Sequence, residues 1–315
     1  MRKLFFVTLL LLIFLVGCSS GKVKPTVSTS PPPSPSATPT PSPTPIPEQE
    51  QDQVEPGQDP VHTSVIDPSK LGNIFGFAGI NGQQILVTGL EKDQDNKMVQ
   101  LNKAIGANGA VVSVKYLKWQ AGNDELNNGR DLAINMENEP GYLFTVEEGA
   151  AEQDQTYYLI NDTEFDTGAL LAIQEKNEPV SDEQLLSQLA TIHDRKIEQA
   201  WTLTEIAGTD GLYLVHFETV GEEHLFSLVV IRGDELIFKD YPATQKETTS
   251  VWRVDDGGEV SSDNFSMMFA ANTSDGILIS LNWWGAEGVN SLFLLEKNHK
   301  LEDLETRYGR YTSPL

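Results

Sequence analysis

From Leu71 onward the chain repeats one local pattern. Runs of four to nine β-branched, aromatic and aliphatic residues alternate with clusters of Gly, Asn and Asp. Such runs between turn formers read as many short strands. The pattern predicts strands at Gln84–Gly89, Ala110–Trp119, Leu132–Met136, Gly141–Val146 and Thr156–Ile160. It predicts a second series at Trp201–Ile206, Gly211–Thr219, His224–Arg232 and Glu235–Tyr241, and a third at Phe265–Ala271, Ile277–Trp284 and Val289–Glu296. The third series shows the two-residue period most plainly. Ile277, Ile279, Leu281 and Trp283 share one face, which makes Trp283 a core residue; Trp284 falls on the more polar face. The run 224–231 is apolar on both faces, so it belongs in the middle of a sheet covered on both sides.

One helix stands out, over residues 181–196. Ser181 and Gln184 fit a capping box, and Leu185, Leu189 and Ile192 fall on one face. The fold class expected is therefore α+β, predominantly antiparallel β meanders with one clear helix. A helix-on-sheet arrangement of the cystatin or NTF2 type is similar in outline only and carries no function. Residues 69–241 read as a β-rich globular domain. The polar stretch from Pro242 to Ser250 sets off residues 242–315 as a further meander, either a separate unit or part of the same domain.

The first 68 residues follow a different rule. Arg2 and Lys3 precede an apolar run from Leu4 to Val16, the layout of a signal peptide. That run is too short for a membrane span, which needs about 20 residues. It ends in Leu15-Val16-Gly17-Cys18, and Cys18 is the only cysteine. This segment resembles the bacterial lipoprotein signal, whose lipobox it matches at all four positions. The resemblance covers residues 1–18 alone. It implies diacylglycerol on Cys18, removal of 1–17, and an extracytoplasmic chain anchored to the cell membrane. Residues 18–68 then form a linker. From Pro31 to Pro47 prolines recur every one to four residues, which forces extended polyproline II spanning on the order of 50 Å. Glu48–Asp59 is acidic and has little to bury, so disorder is expected.

Charge narrows the partners. The formal net charge is −24, which repels phosphate backbones and sets nucleic acid aside. A lone cysteine also allows no internal disulfide, so the fold must be held by packing. The expected partners are the membrane, through lipid on Cys18, and the cell wall or another envelope protein.

Candidate chemistry is sparse. Asp93-Gln94-Asp95-Asn96 begins like a calcium loop, but Met98 and Ala104 occupy the positions that need Gly and Glu. No nucleophile elbow, zinc-helix or phosphate-loop motif occurs. The five histidines are scattered; His193 reads as a boundary residue, and His216 and His224 flank one hairpin. The densest mix of tryptophan and acid is Trp252, Asp255, Asp256, Trp284 and Glu287, a pattern suited to stacking on sugar rings and holding hydroxyls. No catalytic residue, cofactor or metal site is assigned. The leading expectation is a non-catalytic interaction, sensory or accessory module. The alternative is a wall- or carbohydrate-binding module, possibly carbohydrate-active, built on those five residues. A solute-binding importer subunit would need repeated strand–helix alternation, which is lacking.

Overall fold

The computed structural model describes residues 64–244 and 260–313. It is mostly β. Two α-helices occur among the described residues, α1 (Asp95–Met98) and α2 (Glu183–Ala190). None is long and apolar enough to cross a membrane.

Six strands close into an antiparallel barrel: β1 (Phe75–Ala78), β2 (Gln84–Val87), β3 (Lys103–Gly106), β4 (Ala110–Gln120), β5 (Gly141–Glu148) and β6 (Thr156–Ile160). Their order is β1-β2-β5-β4-β3-β6. Alternation sorts the side chains. Ile85, Val87, Tyr142, Phe144, Tyr157 and Leu159 fill the interior, while Leu86, Leu143, Tyr158 and Ile160 point outward. So narrow a barrel mixes large residues with very small ones. A Cβ on Gly76 would sit 2.6 Å from the Leu86 carbonyl oxygen, so only glycine fits there. Met98 of α1 plugs the interior, and the Tyr142 hydroxyl donates to the Glu91 carbonyl at 2.8 Å.

The remaining ten strands form one sheet: β7 (Leu170–Leu171), β8 (Ile173–Pro179), β9 (Ile197–Ile206), β10 (Gly211–Val220), β11 (Glu223–Arg232), β12 (Glu235–Thr244), β13 (Phe265–Asn272), β14 (Ile277–Trp284), β15 (Gly288–Lys297) and β16 (Lys300–Tyr311). Their order is β7-β13-β14-β15-β16-β12-β11-β10-β9-β8. The end strands, β7 and β8, are separated in sequence only by Ala172, so the sheet must curl until its edges meet. Its two halves then face each other. Leu214, Phe226, Leu228 and Val230 from one half meet Phe265, Ile279, Leu281 and Leu294 from the other. The halves join where β12 pairs with β16, in parallel, at Phe238 and Lys300. Trp283 packs edge-on to Phe226 at 5.5 Å, on the core face expected for it. A single sheet thus carries strands from both sides of residue 242.

The outer faces are also covered. Phe269, Leu278 and Phe293 meet Phe75, Tyr158 and Ile160 on the barrel wall. On the far side Leu189 of α2 packs on Ala200, Val215, Phe217 and Val229. The strand at 224–231 lies between β10 and β12 and is buried on both faces, as its composition predicts.

Two expected elements differ. Leu132–Met136 is not a strand; the chain turns there and enters a 3-10 helix at Met136–Asn138. Asn135 is the cause. Its side-chain amide donates to the Arg130 carbonyl and to Glu139, both at 2.9 Å, so local bonds replace a ladder. The helix is shorter than 181–196. Asp182, not Ser181, caps it, accepting from Gln184 N at 2.8 Å and Leu185 N at 3.1 Å. It ends at Ala190, where Thr191 Oγ1 donates to the Gln188 carbonyl at 2.6 Å; further on Asp194 takes a positive φ of 45°, and Arg195 donates to the carbonyls of Glu218 (2.6 Å) and Glu223 (2.7 Å) in the β10–β11 hairpin. Strands β1, β3, β8 and β16 have too short or too polar a sequence to announce themselves.

Candidate functional site

A groove opens on the sheet beside α2. Strand β8 pairs with β9 up to Pro179–Trp201. Val180 N then donates to the Ala200 carbonyl at 2.8 Å, and the chain turns away into α2. Strand β9 continues outward over residues 197–200, paired there with β10 alone among the described strands. The helix crosses nearby, leaving a groove of about 610 Å³. This falls in the usual range for ligand sites. Helical spacing gives α2 two working faces. Leu185 and Leu189 serve the core, Glu183, Ser187 and Ala190 line the groove, and Leu186 does both. Opposite them stand Ile197, Glu198, Gln199, Ala200 and the buried edge of Trp201.

A second feature is a buried polar knot between the barrel and β16. Arg310 is 3% exposed. It donates to Thr156 Oγ1 (3.1 Å) and to the carbonyls of Asp131 (3.0 Å) and Asp154 (2.6 Å). Asp131 in turn accepts from Tyr311 N at 2.8 Å, and the Arg130 guanidinium lies 4.2 Å over the Tyr311 ring. Burial pushes the Glu139 carboxyl up to about 8, and the charge of Asp131 adds to this; Asn135 and Arg310 pull the other way. Gln120 caps the same segment, donating to the carbonyls of Met136 and Glu139. Every member is engaged, and the knot reads as a clasp. A third feature is an ion pair between the two halves of the sheet: Arg232 forks onto Glu296 at 3.1 and 2.8 Å.

Of the five residues expected to form a ligand surface, Trp252, Asp255 and Asp256 lie outside the described residues, as does Cys18. Trp284 and Glu287 flank the β14–β15 turn. The Trp284 indole is half-buried and donates to Ser266 Oγ at 3.1 Å. Glu287 is exposed, and its carbonyl accepts from Thr312 and Ser313. His193 sits at a boundary, 2.8 Å from Asp240. His216 and His224 contact Glu198 and Thr219 respectively. Asp95 of the calcium-like run accepts from the Tyr116 hydroxyl. Among the described residues no cluster of three His, Cys, Asp or Glu is arranged to hold a metal ion. Compared with known protein families, curated proteins and solved structures, the chain gives no match.

The groove is not legible in the sequence. The apolar stripe of the helix is, but the face of α2 that lines the groove mixes Glu, Leu, Ser and Ala. The open edge of β9 depends on where β8 stops pairing, which only register decides.

Proposed function

We propose that this chain is a lipid-anchored, extracytoplasmic binding module. The lipobox at Leu15-Val16-Gly17-Cys18 supports the anchor, since two acyl chains hold a protein stably where one does not. The proline-rich stretch supports a spacer that sets the β-rich body off from the membrane. The observation that carries the binding half is the groove between α2 and β9: an apolar trough beside strand edge is a surface built to be covered. Its partner would belong to the envelope or the wall.

The test of the anchor is partition in Triton X-114. The native chain is expected in the detergent phase and Cys18→Ala in the aqueous phase. Recovery of the native chain from the aqueous phase would overturn the assignment.

A further inference from the structure

We propose that the groove takes an extended basic peptide as an added strand along β9. This inference rests on the binding-module reading and names the occupant of its site.

Three observations converge. First, beyond the Ala200 carbonyl, which Val180 N takes, residues 197–199 of β9 have β10 on one side, with a bulge at Glu198, and, among the described residues, no strand on the other. Backbone N–H and C=O groups on an edge call for partners, and an extended peptide supplies both kinds in register. The open stretch is three residues long, Ile197 to Gln199, about 10 Å at strand rise. Second, the trough beside that edge is apolar, with Val180, Leu186, Ala190, Ile197 and Trp201 along it. Alternate side chains of an added strand would point into it, and small or branched apolar residues suit the space left by Ala190 and Ser187. Third, the rim favours cations. Glu183 and Glu198 stand on opposite walls. Glu198 lies 3.8 Å from His216, and the one rim cation, Lys196, already lies 3.9 Å from Glu218. The net charge of −24 extends the same attraction over distance. Lysine or arginine at the outward positions of the peptide would therefore meet carboxylates on both walls.

The experiment uses the full lipidated chain in detergent and fluorescein-labelled acetyl-Ala-Lys-Val-Lys-Ala-Val-amide, read by anisotropy. Two companion probes isolate the two causes. One is N-methylated at alternate residues, which removes backbone donors; the other carries Glu for Lys. Each is expected to bind at least ~10-fold more weakly, the equivalent of about 1.4 kcal/mol. Ser187→Trp fills the trough from an exposed helix position and should abolish binding. The double change Glu183→Lys with Glu198→Lys should reverse the preference between the Lys and Glu probes, which a variant that merely misfolds does not do. If the N-methylated probe binds equally well, strand addition is overturned even where Ser187→Trp blocks it. If no probe binds, or Ser187→Trp leaves binding unchanged, the peptide site is overturned, while the Triton X-114 partition still decides the anchored-module reading separately.

Discussion

Replacing Arg310 by methionine removes the centre of the clasp between the barrel and β16. The side chain is almost wholly buried and makes three hydrogen bonds, to Thr156, Asp131 and Asp154. Methionine keeps much of the volume but leaves two part-buried carbonyl oxygens without their donor. Each unsatisfied buried acceptor costs roughly 1–3 kcal/mol. The charge of Asp131 also loses its counter-charge. Truncating one partner of a buried charged set typically costs about 3–5 kcal/mol, the same range. A folded body of this size shifts by roughly 2–4 °C for each kcal/mol, so the midpoint should fall by about 6–20 °C. Thermal unfolding followed by circular dichroism at pH 7 reads this directly. Arg310→Lys separates charge from geometry, because one ammonium cannot reach all three acceptors; it should fall between the parent and Arg310→Met. Limited proteolysis should then cut first within residues 121–139, the segment the clasp holds. A midpoint lowered by less than about 2 °C in Arg310→Met would refute the reasoning.

Two further outcomes follow from the same structure. Glu139 holds its proton in the folded state up to about pH 8 but releases it near 4.5 when unfolded. The folded state therefore binds more protons across that window, and stability contributed by this group falls as pH rises from about 4.5 through 8. Glu139→Gln should flatten that decline in a series of unfolding curves; an unchanged slope would remove Glu139 from the account. Asp182→Ala deletes the cap of α2 and should cost roughly 1 kcal/mol. Hydrogen exchange should show faster opening of residues 183–190, and the Lys probe of the groove should bind more weakly.

The sequence by itself determined the local grain of the molecule. Alternation in Ile277–Trp284 placed Trp283 in the core, and the doubly apolar run at 224–231 placed that strand inside the sheet, because burial acts residue by residue on a two-residue period. The resemblance of the N-terminus to a lipoprotein signal, on which the proposed anchor rests, lies likewise in four adjacent residues, Leu15-Val16-Gly17-Cys18. Tertiary structure decided what local pattern cannot encode. Strand β16 is as polar as a loop, and it is a strand because β15 offers it a ladder over nearly its whole length. The segment at 132–136 has a strand's composition, yet Asn135 and the Arg310 clasp bind it into turns. The closing of the sheet depends on its two ends meeting across Ala172. The groove exists because β8 leaves β9 at Trp201 while α2 passes alongside. Each of these is a matter of which edges are satisfied by residues far away in the chain, and that is settled by pairing in three dimensions.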